Sequence, residues 1–333
     1  MTNVRAIAHV MALTLDDLFA SPDHYLHSFE GDAALFVPMD RAAYHRSIFL
    51  DGRISPAADR SMRLPVKALV EPARKPSSIG WIFHVAHCGS TLLARALDDP
   101  SANLVLREPL ALRQLALSPD AERLALTATM LSKRYRADAP TIVKANVPVN
   151  FLLPDLVELD PGPRAIFLHC SLRDYLFAIL RSEEHRTWMR RVTTQLAARI
   201  GDLSHLPDGE RVAALWLAQM RAFATAIGRL PNARSLDSEE FFTAPACFLG
   251  LAARHLEVPM TDGDIEARVA GPLFATYSKN PAVAFDNDAR LARRAELERS
   301  LTPELEQAQS WIEQRAHEAG PARETIAAAS LAG

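Results

Sequence analysis

The side chains able to do chemistry are concentrated in one stretch, Phe83-His-Val-Ala-His-Cys-Gly-Ser-Thr-Leu-Leu-Ala-Arg-Ala-Leu97. Gly89, Ser90 and Thr91 are small enough for the backbone to approach a ligand closely, and the two hydroxyls add donors. Trp81, Ile82, Phe83 and Val85 before them make an apolar strand run, and Leu92, Leu93, Ala96 and Leu97 after them recur at helical spacing. The turn therefore opens a helix, where free N–H groups and the positive end of the dipole suit an anion. The same residues also suit an ordinary Ser/Thr cap on a core helix.

Three phosphate-handling loops have related patterns. The Walker pattern needs Lys directly after its second glycine, but Ser90 follows Gly89 and His84 stands at the first glycine, which disfavours an ATPase or GTPase. A cysteine phosphatase needs His-Cys, five spacers and Arg. Here Arg95 follows His87-Cys88 one residue late, turning its guanidinium by about 100° around the helix. Without that Arg, Cys88 reads as a small packing residue. What remains resembles the 5′-phosphosulfate loop of sulfotransferases, whose Lys/Arg-Ser-Gly-Thr/Ser-Thr core lies over His87-Cys88-Gly89-Ser90-Thr91. The basic residue of that family is replaced by His87, which titrates in the physiological range; burial and neighbouring charge decide its state.

The resemblance continues along the chain. Asp99 to Pro109 is similar to the segment after the loop in several sulfotransferases, where an acidic residue is the catalytic base, and it assigns that role to Glu108. Read from position alone, Glu108 is equally a solvated carboxylate at a helix start. Lys144-Ala-Asn-Val-Pro148 is similar to the Lys-Thr-His-Leu-Pro segment, in which Lys steadies the transferring group; Asn146 replaces the His, so no base is expected there. A lysine ending an apolar strand must itself snorkel or meet an anion. Ser235 to Pro245 is similar to the family's late Glu-Asp-Leu-x-x-x-Pro segment. The 3′-phosphate motif departs from its pattern: one register puts Cys170 and Ala178 at the Arg and Ser positions, the other makes Arg173 the grip and puts Arg181 at the Ser position. Lys279, in the polar stretch Tyr277-Ser-Lys279, falls where the family often closes basic residues over the donor.

Composition sets the frame for this chemistry. The chain has 333 residues, 49% hydrophobic and 23% charged, enough for a sizeable core. Lys and Arg total 37 against 40 Asp and Glu, both signs interspersed, so no footprint for nucleic acid is visible. Cys88, Cys170 and Cys247 are scattered without metal spacing. Beside Cys170, His169 reads as a core histidine. Met1 to Leu15 lacks a basic region followed by an apolar one, and no run of about 18 apolar residues occurs. The expectation is a soluble cytoplasmic protein.

The elements that must position these residues follow from period and punctuation. Residues 1–75 mix short helix and strand signals and end in a proline-bearing basic stretch, read as an N-terminal appendage and connector. From 76 to 333 the pattern is that of one α/β domain: strands at 80–86, 103–106, 141–144, 164–169 and 233–236, and helices at 90–98, 109–136, 173–200, 209–229 and 244–256. A charged covering helix, 287–318, closes it. Strands separated by helices predict a parallel sheet covered on both faces; the resemblance makes it a P-loop-type, sulfotransferase-like sheet. It further implies 3′-phosphoadenosine 5′-phosphosulfate as co-substrate, a small-molecule or glycan acceptor offering a hydroxyl or amine, and no metal. Two other readings stay open: a nucleotide-binding or scaffold protein without catalysis, and a phosphoryl-transfer enzyme.

Overall fold

Alternating residues from His24 and the Gly31-Asp32 pair build a hairpin in which β1 (His24–Glu30) pairs antiparallel with β2 (Ala33–Pro38). Gly31 has φ +56°, as a two-residue turn of right-handed strands requires. β3 (Met62–Pro65) adds to the free edge of β2. The computed structural model describes residues 13–73, 75–160 and 162–333. The reading of Met1 to Leu15 as free of a leader thus lies almost wholly outside the described residues, as do residues 1–12 and Arg74 of the expected appendage.

The main sheet is parallel and five-stranded: β4 (Ile79–His84), β5 (Leu104–Arg107), β6 (Thr141–Lys144), β7 (Ala165–His169) and β8 (Ala233–Asp237), in the order β5-β6-β4-β7-β8. Helices cover both faces, which is why these strands read as continuous buried runs. On one face Trp81 stacks on Phe83 at 5.4 Å and Phe83 on Phe167 at 5.3 Å, and Phe223 of helix Asp208–Ile227 closes over them. Ile82 is paired in register with Lys144, so His84, two residues on, shares the face of Lys144. The chain leaves central β4 toward β5 and β6 on one side and later toward β7 and β8 on the other. The carboxyl ends of β4, β6 and β7 thus meet at a switch point, where α/β sheets leave a crevice.

The N-terminal segment docks on the β5 edge. Arg107, 1% exposed, donates to the carbonyl oxygens of Tyr44 and Ser47, each at 2.6 Å, and to Asp98 at 2.7 Å. Leu50 N–H meets the Arg107 carbonyl at 2.7 Å. This carries Phe49, Asp51 and Arg53 to the crevice.

The helices expected over 109–136 are Leu110–Leu117 and Ala121–Leu131. The long helix expected over 173–200 is broken into Leu172–Leu180, Glu183–Gln195 and Ala197–Ile200. The covering helix ends at Ser300 and restarts at Thr302 with Pro303 in its first turn, because proline has no N–H for the preceding turn and its ring crowds that turn's carbonyl. A further helix, Ala316–Ala328, follows. The stretch expected as a polar loop is a hairpin, β9 (Thr276–Tyr277) and β10 (Asn280–Ala284), with Ser278 and Lys279 at its turn. Among the described residues no helix is long and apolar enough to cross a membrane.

Candidate functional site

The loop after β4 is shaped by its own residues. Gly89 has φ +87° and caps helix Ser90–Ala96; a Cβ there would stand 2.7 Å from the Phe242 ring. Glycine at 89 therefore answers to backbone conformation and to Phe242, and a Gly89→Val change would test these as much as ligand approach. The Cys88 thiol lies 2.9 Å from the Val85 carbonyl oxygen and donates to it. Burial pushes it up to about 12, so it stays a thiol and is no nucleophile at neutral pH. Thr91 Oγ1 is buried without a partner, and Ser90 is buried beside it.

Among the described residues only three other than glycine have positive φ, and two of them are here: His87 at +61° and Glu108 at +57°. Such backbone is costly and concentrates at working sites. Lys279 Nζ lies 3.3 Å from His87 Nδ1. A lysine ammonium only donates, so Nδ1 is the acceptor and Nε2 carries the hydrogen. Burial, then Lys279, Arg181 and His185, hold the half-buried His87 well below the usual histidine range. The sequence left its state open; the structure makes it a neutral donor in the unliganded protein. The His185 ring lies 4.6 Å away, tilted by 56°, and is itself pushed to about 4 by burial and Arg181. Arg181 Nη2 meets His185 Nε2 at 2.7 Å and Tyr277 Oη at 3.3 Å.

Glu108 and Lys144 form an ion pair at the end of β6. Burial pushes the Glu108 carboxyl up, but the charge and hydrogen bond of Lys144, together with His84 and Lys279, outweigh it and hold the group at about 2. Lys144 is fully buried, and burial drives its affinity for protons down against the pull of Glu108. Arg173 is elsewhere: half-exposed, paired with Glu298, and outside the cavity wall. The structure thus brings together His87, Cys88, Gly89, Ser90, Thr91, Glu108, Lys144 and Lys279 around one cavity of about 1120 Å³ and leaves Arg173 out. His84, Arg181 and His185 also line it. The sequence reading gave them no role, since each acquires one only through neighbours distant in the chain.

The wall carries nine Lys and Arg against five Asp and Glu, in a chain whose totals are 37 and 40. Positive charge is concentrated here, which suits a polyanion.

No known family matches this chain, and no curated protein does. Among solved structures, the fold is similar to the sulfotransferase domain from the curacin biosynthetic pathway, at 11% sequence identity and a TM-score of 0.39, over 69% of this chain and 98% of that one.

Proposed function

We propose that the cavity binds 3′-phosphoadenosine 5′-phosphosulfate and that the protein transfers its sulfuryl group to a hydroxyl or amine of a small-molecule or glycan acceptor. The observation that supports this is the pairing at the loop: Lys279 and Arg181 flank His87, and among the described residues neither has a carboxylate partner. Partly buried cations without a carboxylate partner are stabilised when an anion arrives. Ser90, Thr91 and the loop N–H groups would hold the 5′-phosphate, and the His87 Nε2–H and Lys279 would offset charge on the departing bridge oxygen. Lys144, kept charged by Glu108, faces the transferring group. With Arg173 engaged by Glu298, the 3′-phosphate falls to Arg181. That engagement also favours a second reading, a nucleotide-binding protein without transfer.

Calorimetric titration with adenosine 3′,5′-bisphosphate, ADP and ATP separates them. The bisphosphate is expected to bind at least about tenfold, or about 1.4 kcal/mol, tighter than ADP. Equal affinities favour the second reading, and no binding of any of the three overturns both.

A further inference from the structure

His84 ends β4 directly before the loop and is 5% exposed. Its Nδ1 lies 2.8 Å from the Val85 carbonyl oxygen. A carbonyl only accepts, so Nδ1 carries the hydrogen and Nε2 is a bare lone pair. That Nε2 is buried and has no partner among the described residues, although the residue lines the cavity. Asn146, two residues past the end of β6, lines the same cavity. Asn146 Oδ1 is buried without a partner too. Two buried acceptors with no donor, on the Lys144 face of the sheet, fit a ligand that brings an O–H or N–H. The charged and titratable groups facing His84 are Lys144, Glu108, Lys279 and His87.

Resting on the sulfuryl-transfer reading, we infer that His84, not Glu108, is the general base of the reaction. Nε2 takes the proton of the acceptor hydroxyl or amine as that oxygen or nitrogen bonds to sulfur. The bond from sulfur to the bridging oxygen breaks, and its electron pair leaves on the 5′-phosphate of adenosine 3′,5′-bisphosphate. The imidazolium later returns the proton to solvent. Glu108 is then a positioning residue that keeps Lys144 charged and in place. In the unliganded protein, burial and the Lys144 ammonium hold His84 at about 3, too weak a base to activate water. A bound donor sets several negative charges beside Lys144 and Lys279 and raises it. Proton abstraction is thereby tied to donor occupancy.

The test uses the full chain with ¹⁵N- and ¹³C-labelled histidine, titrated by NMR from pH 4 to 8, alone and saturated with adenosine 3′,5′-bisphosphate. His84→Asn assigns the resonance, because the Asn amide can keep the bond to Val85. We expect the Nδ1–H tautomer, an imidazole that stays neutral down to pH 4 in the free protein, and a titration that enters the pH 4–8 range in the complex. An Nε2–H tautomer, or a titration that saturating bisphosphate does not move, overturns the inference and leaves the donor reading standing. Failure of the bisphosphate to bind, seen by calorimetry on the same sample, overturns the donor reading and the inference with it. Turnover is followed as bisphosphate release from 3′-phosphoadenosine 5′-phosphosulfate with a panel of phenols, alcohols and primary amines. There His84→Asn is expected to lose at least about 10²-fold and the acid limb of the pH profile, with bisphosphate affinity within about twofold. A near-wild-type rate in a variant with a normal melting transition overturns the inference.

Discussion

Lys279 and Arg173 are both basic residues assigned to the donor by the sequence, and their surroundings give them opposite weights. Lys279 stands over His87 with no carboxylate in ion-pair contact among the described residues, whereas Arg173 is half-exposed and already paired with Glu298. Lys279→Ala is therefore expected to weaken adenosine 3′,5′-bisphosphate binding by roughly tenfold or more, the scale of one charge-assisted contact. Arg173→Ala should leave it within about twofold, since a screened surface pair contributes little. Parallel calorimetric titrations decide it, and a larger loss in the Arg173 variant would reverse the assignment. Removing Lys279 also lifts its repulsion from His87, so the imidazole should titrate higher in that variant.

The β9–β10 hairpin delivers Lys279, and it is held by a residue that first suggested another enzyme. Arg95, one position too late for a phosphatase, points away from the loop and donates to the Ser278 carbonyl oxygen at 2.8 Å, at the hairpin turn. Helix Ser90–Ala96 thus carries both the loop and the clamp on its partner cation. Arg95→Ala should speed amide hydrogen exchange across 276–284 and weaken the bisphosphate severalfold while the melting temperature changes little, because short exposed hairpins open at low cost. Unchanged exchange in that variant would mean that the hairpin is held by other contacts.

At the scale of the whole molecule, the N-terminal segment and the sheet are joined through one buried cation. Arg107 satisfies Asp98 and several carbonyls between Tyr44 and Ile48, and through this edge Phe49, Asp51 and Arg53 reach the cavity wall. Arg107→Ala leaves a buried carboxylate and unpaired carbonyls, and should cost about 3–5 kcal/mol of stability. Urea denaturation measures it, with limited proteolysis showing whether residues 13–73 are released first. A cost under about 1 kcal/mol would show that the edge is held by apolar packing alone.

Much of this was legible in the residues themselves. Apolar runs bounded by turn residues gave the five parallel strands and their alternation with helices, because strand and helix periods are set by near neighbours. Gly89-Ser90-Thr91 between a strand and a helix was likewise readable as a tight turn that opens a helix. The breaks at Leu301 and around Arg181 were misread, since helical periodicity persists across a break that local backbone geometry imposes. What only the tertiary structure decided is convergence. The crevice joins 84, 87, 108, 144, 181 and 279, and no local pattern encodes which of these meet. The charge state of His87, the capture of Arg173 by Glu298 and the bare Nε2 of His84 all depend on burial and on partners brought from distant parts of the chain. Short-range sterics write the elements into the sequence, whereas desolvation and pairing at the site exist only once those elements have packed.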